Sequence, residues 1–129
     1  MRACYGHAYD GPMQIVVHGI PNCDTVRKAR VWLDAQGVAY RYHDFRQAGV
    51  PSDRLARWAQ SPGWDRLLNR RGTTWRKLDP AAQAAVVDGA SAMALMQAEP
   101  SLIKRPVVDW GAETTVGFDP ADWAARTGR

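Results

Sequence analysis

Pro21-Asn22-Cys23-Asp24-Thr25 sets a cysteine between a short apolar run, Ile15-Val16-Val17-His18-Gly19-Ile20, and a helical pattern, Val26-Arg27-Lys28-Ala29-Arg30-Val31-Trp32-Leu33. A cysteine where a strand gives way to a helix meets backbone N–H groups with no intrahelical partner and the positive end of the helix dipole. Both favour thiolate over thiol, and the thiolate is the nucleophile. Either Asn22 or Asp24 is expected to cap the helix, and Asp24 would oppose the thiolate if its carboxylate turned to the sulfur. The competing reading is a buried, inert thiol, since free cysteine is among the most buried residue types.

The elements that must position Cys23 follow from periodicity. Residues 14–18 read as a buried strand. A helix is expected from Asp24 to Gln36, with Val26, Ala29 and Leu33 turned inward and Gly37 as its stop. Arg30 falls at the edge of that stripe and is expected to reach solvent, as are Arg27 and Lys28. Val38 to Phe45 alternates, with Val38, Tyr40 and Tyr42 on one side, and reads as a second strand. Strand, helix and strand with short joints make a right-handed βαβ unit with a parallel pair.

The middle reads as helical. Pro51-Ser52-Asp53 opens a helix carrying Leu55, Trp58 and Ala59, and Ser61-Pro62-Gly63 breaks it. Trp64 to Leu68 is a short turn or helix, and Asn69 to Lys77 a polar, basic connection. One helix is expected from Asp79-Pro80 to Val87, with Pro80 suited to the first turn. Another runs from Ser91 to Ala98, ended by Glu99-Pro100. Arg105 to Trp110 then reads as a strand, Gly111 to Glu113 as a turn and Thr114 to Phe118 as the antiparallel partner. Asp119-Pro120 starts a last short helix with Trp123. The expected fold class is α/β: a thioredoxin-like βαβ…ββα with a helical insertion between the second and third strands.

Composition narrows the function. With 129 residues, 46% hydrophobic and 23% charged, the chain suits one globular domain. No apolar run approaches the roughly 20 residues of a membrane span. Residues 1–12 lack an apolar signal region and read as a disordered extension or tag, leaving residues 13–129 as a single domain. Two cysteines, Cys4 and Cys23, without a CxxC or Cys/His cluster argue against a disulfide framework or a metal site, and a reducing cytoplasm is expected. The net charge of +4 suits a small anionic substrate better than nucleic acid. His18 and His43 read as structural.

Three separated motifs carry a family resemblance: GIPNCDTVRKA over Gly19–Ala29, LLNRRGTTWRKL over Leu67–Leu78 and IKRPVV over Ile103–Val108. Together they resemble the arsenate reductase (ArsC) family, and most closely its YffB/Spx branch, over residues 13–125. The resemblance implies a thioredoxin fold with a helical insertion, Cys23 as redox nucleophile, Arg105 as an anion-binding arginine and Pro106 as a cis-proline beside the cysteine. Arg105 alone would read as a solvated strand-end charge, but its guanidinium fork suits an oxyanion or carboxylate. In the basic run Arg70-Arg71…Arg76-Lys77, usually a solvated face, Arg70 and Arg71 are the candidates to reach the site. Asn22, beside the cysteine, is a further candidate for binding glutathione.

The chain also departs from the family pattern. The second position of a CxxC motif falls at Val26, so Cys23 is a single-thiol centre. The resembling arsenate reductases use a third arginine in the strand after the cis-proline strand, and Glu113 to Phe118 contains none. The Spx regulators commonly carry CxxC. These points lead to an oxidoreductase, a glutathione-dependent thiol reductase with glutathione as co-substrate and no bound cofactor or metal. Its expected partners are glutathione or a small oxidised substrate, with glutaredoxin as another, and the chain is expected to be a monomer. The alternatives are an Spx-like regulator that binds RNA polymerase and a true arsenate reductase.

Overall fold

A computed structural model of the chain describes residues 15–128. The readings of residues 1–12, of Cys4 and of a strand start at Gln14 lie outside the described residues. The chain divides into two compact units, one built from residues up to Asp44 and from Arg105 onward, the other from Phe45–Lys104.

The first unit carries β1 (Val16–Gly19), α1 (Asp24–Ala35), β2 (Arg41–Asp44), β3 (Val107–Asp109), β4 (Thr114–Val116) and α8 (Pro120–Thr127). Its sheet has the order β2-β1-β3-β4. β1 is central, parallel to β2 and antiparallel to β3, and β3 is antiparallel to β4. Val17, His18 and Gly19 of β1 are all buried, so both faces of this central strand are covered. This is the expected βαβ…ββα order.

Alternation along the strands sorts side chains to two faces. Val17 of β1 and Val108 of β3 lie opposite each other and share a core cluster with Ala29, Leu33, Trp110 and Trp123. Val38, Tyr40 and Tyr42 pack against this cluster, as their spacing predicts. Val26, Ala29 and Leu33 are the buried residues of α1. Trp123 anchors α8, edge-on to Phe118 at 4.8 Å, Trp110 at 5.2 Å and Trp32 at 6.0 Å between ring centres. Gly37, at φ 69°, follows the helix end in the left-handed conformation that glycine adopts without strain.

The helical unit contains α2 (Phe45–Ala48), α3 (Ser52–Trp58), α4 (Trp64–Leu67), α5 (Thr73–Arg76), α6 (Pro80–Ala84) and α7 (Gly89–Ala98), with a 3-10 turn at Pro100–Leu102. The break after α3 contains a cis Ser61–Pro62 bond and Gly63 at φ 112°. Leu68 and Ile103 form an antiparallel bridge, and Leu55, Trp58, Leu67 and Met96 are buried.

Several expected boundaries are corrected. The strands are shorter than their apolar runs: Val38–Ala39 lead into β2, and Phe45 already begins α2. The polar connection from Asn69 to Lys77 contains α5, with Gly72 at its N-cap. The helix expected to reach Val87 stops at Ala84. Asp88 then caps α7, which starts at Gly89, two residues before Ser91, because the Asp88 carboxylate accepts from the Ser91 N–H at 2.9 Å while the Ser91 hydroxyl accepts from the Asp88 N–H. That reciprocal cap satisfies two orphan donors at once.

Candidate functional site

Gly19 ends β1 against the first turn of α1. A Cβ built on it would stand 2.8 Å from Val26 Cγ2, so only glycine permits this approach. Pro21 and Asn22 make the turn, and the chain enters α1 through Cys23. Cys23 itself is the N-cap, with extended backbone angles (φ −128°, ψ 119°), and no side chain caps the helix. Its carbonyl accepts the first helical bond, from Arg27 N–H at 3.0 Å.

The expected cap at Asn22 or Asp24 is therefore corrected. Asn22 is exposed in the turn. Asp24 is the first residue of the helix, where a carboxylate meets the positive end of the dipole, and it pairs with Arg27 one turn on. Cys23 is half-buried and its thiol is not in a disulfide. Val26, at the second position of a would-be CxxC, is 2% exposed and packed on Gly19.

The register of β1 with β3 pairs His18 with Val107. One step further toward the cysteine turn stands Pro106, so the sheet brings the Arg105–Pro106 bond to the end from which the turn departs. That bond is cis, as the resemblance implies. Pro106 is buried, and its carbonyl accepts from Gly117 N–H at 2.9 Å. Arg105 is half-buried. Cys23, Asn22, Arg105 and Pro106 thus belong to one unit.

Arg70 and Arg71 belong to the helical unit. Arg70 pairs with Asp65 at 2.8 Å, and its guanidinium lies 5.8 Å from the Trp64 ring centre and 5.7 Å from that of Trp75. Arg71 is exposed, its backbone N–H donating to Asn69 Oδ1 at 3.1 Å.

Arg30 departs from its expected course. Instead of reaching solvent, it is half-buried, donates through Nε to the Tyr40 hydroxyl at 3.1 Å and lays its guanidinium 3.9 Å from the Tyr42 ring centre. Stacking on an aromatic face recovers part of what the cation loses in leaving water. Burial raises the Tyr42 hydroxyl above its ordinary pKa; Asp44 adds to the rise, Arg30 opposes it, and Cys23 and Tyr40 add smaller contributions. Sequence reasoning missed this pair, although Arg30 at the stripe edge and two tyrosines on one strand face were its visible signals.

His18 fills a structural position. It is fully buried and its Nδ1 donates to the Val107 carbonyl at 3.0 Å; its Nε2 lies 3.8 Å from Asp109 Oδ2. Among the described residues no cluster of three His, Cys, Asp or Glu side chains could hold a metal ion, and no helix is long and apolar enough to cross a membrane.

Comparison with known proteins agrees with this geometry. A family model described as the ArsC family matches residues 18–126. An uncharacterized protein of Haemophilus influenzae is 37% identical over 111 residues, covering 86% of this chain and 96% of the relative. The global transcriptional regulator Spx of Streptococcus mutans is 26% identical over 101 residues, covering 77% of this chain and 72% of the regulator. The solved structure of a YffB protein aligns with a TM-score of 0.83 at 50% identity, over 88% of this chain and 98% of that one. An arsenate reductase-related protein from Brucella melitensis aligns with a TM-score of 0.70 at 44% identity, over 91% and 97%.

Proposed function

The chain belongs to the ArsC family, and on that premise we propose that it is a glutathione-dependent thiol reductase working through the single thiol of Cys23. The observation that carries this reading is Cys23 at the N-cap of α1, half-buried, with no side-chain cap of its own and a packed valine where a resolving cysteine would stand. The unpaired N–H groups of the first turn favour an anion at this position.

In the proposed cycle the Cys23 thiolate attacks the glutathione sulfur of an oxidised substrate carried as a mixed disulfide. The substrate sulfur leaves with the bonding pair and takes a proton, and a Cys23–glutathione disulfide forms. A second glutathione thiolate attacks the glutathione sulfur of that intermediate. Glutathione disulfide departs and the Cys23 thiolate returns, so each cycle consumes one free glutathione and joins its sulfur to the glutathionyl sulfur taken from the substrate. Arg105 holds a glutathione carboxylate, with Asn22 and the backbone at Pro106 framing the tripeptide. Glutaredoxin is an alternative second thiol. The chain acts as a monomer in a reducing cytoplasm.

Turnover tests the proposal: reduction of a small glutathione mixed disulfide by glutathione, with Cys23→Ser inactive. Activity that survives in Cys23→Ser would exclude it. Arsenate is expected to be a poor substrate, because Glu113 to Phe118 offers no third arginine.

A regulatory reading is favoured by the similarity to Spx over 77% of this chain. Under it, RNA polymerase would be the partner, and a polymerase subunit would co-purify with the protein whether or not Cys23 is intact. The valine at position 26 weighs against a CxxC-based redox switch.

A further inference from the structure

The hydroxyl oxygen of Tyr42 is sealed from solvent and has no hydrogen-bond partner among the described residues. Such a group is costly in a folded chain, and each instance asks for a reason. The ring is not free to carry its hydroxyl elsewhere. It packs against the core cluster on one side, and the Arg30 guanidinium, held by the Tyr40 hydroxyl at 3.1 Å, lies 3.9 Å from its centre.

Register and helix geometry give the layer in which Tyr42 lies. Tyr42 lies opposite Val17, whose side chain packs with Ala29 and Leu33 of α1. Arg30 follows Cys23 by seven residues, which is about two turns, so both lie on one side of the helix. Helical side chains lean toward the N-terminus, so the guanidinium over Tyr42 sits toward the Cys23 end. Burial leads the rise of the Tyr42 pKa, and Asp44 and Cys23 both add to it.

We propose that Tyr42 is a positioning residue for Cys23: its hydroxyl donates to the Cys23 thiolate when the sulfur turns inward about χ1, and releases it when the sulfur turns outward to carry glutathione. No proton leaves the phenol, and no bond other than this hydrogen bond is made or broken by Tyr42. The inference rests on Cys23 being the reactive thiol of the proposed reductase.

Tyr42→Phe keeps the ring beneath Arg30 and removes only the hydroxyl. The test is the rate of Cys23 alkylation by iodoacetamide, followed by intact mass across pH, with a melting curve for each protein. The midpoint of the rate profile is expected to move to higher pH in Tyr42→Phe. The rate at pH 7 should fall about threefold to tenfold, the value of one hydrogen bond, while the melting temperature holds or rises. Superimposed profiles would overturn the proposal, as would a lowered melting temperature with an unmoved midpoint, which marks a packing role alone. A moved midpoint in a protein that never accepts glutathione would sustain Tyr42's role and remove the reductase reading.

Discussion

Val26 Cγ2 stands 2.8 Å from the place a Cβ on Gly19 would occupy, so the Val26 side chain on the first turn of α1 packs directly on the backbone at the end of β1. This contact fixes where the cysteine turn begins. Gly19→Ala is expected to cost about 1–3 kcal/mol by overpacking and to slow Cys23 alkylation. Urea unfolding measures the first and intact mass the second. The double variant Gly19→Ala/Val26→Ala should be less destabilised than the sum of the singles, because the blocking methyl groups are gone.

Val26→Cys tests why this centre has one thiol. Position 26 lies one turn into α1 from the Cys23 N-cap. Oxidation of the variant should close an internal disulfide between Cys23 and the introduced thiol and abolish the accumulation of a glutathione adduct. Mass analysis with and without reductant distinguishes the two, and persistence of the adduct at its original level would refute the expectation.

Much of the fold was legible because its signals are periodic. Val26, Ala29 and Leu33 recur at helical spacing, and Val38, Tyr40 and Tyr42 alternate, so burial follows from pattern. The cis Arg105–Pro106 bond was legible only through family resemblance, since no spacing distinguishes cis from trans. The course of Arg30 is not legible in the sequence, because a stripe-edge arginine can snorkel outward or fold back, and which it does depends on tyrosines in another element. The cap is ambiguous in the sequence because Asn22 and Asp24 are both good cap residues, whereas the turn takes up Asn22, the helix takes up Asp24 and Cys23 is left as the boundary. The Asp88–Ser91 spacing of three carries the reciprocal cap, which sets the start of α7 ahead of the Ser91 expected from sequence.

Asp88 also gives a pH test of the helical unit. Its carboxyl is held below the ordinary value of 3.8, first by the Ser91 backbone N–H and then by the Ser91 hydroxyl. A depressed carboxyl contributes stability that is full above the unfolded-state value and is lost as pH falls through the lower folded-state value. The gap in denaturant midpoint between wild type and Asp88→Ala should therefore be widest near neutrality and narrow as pH drops below 3.8. A gap that stays constant in acid would contradict this role.

Arg105→Met should weaken glutathione binding while leaving the thiol intact. Loss of a charge-assisted hydrogen bond of about 1.5–3 kcal/mol raises KM for the glutathione mixed disulfide roughly tenfold or more. Alkylation of Cys23 at saturating iodoacetamide, which carries no carboxylate, should change far less. Equal losses in both assays would count against a binding role for Arg105.

The most direct test of the single-thiol account is the mass of the protein after exposure to glutathione disulfide, for wild type, Cys4→Ser and Cys23→Ser. Wild type and Cys4→Ser are expected to gain one glutathione each at the same rate, the adduct reversing on addition of excess glutathione, and Cys23→Ser to gain none at that rate. Glutathionylation of Cys23→Ser as fast as wild type, or closure of a Cys4–Cys23 disulfide in wild type in place of the adduct, would contradict the account.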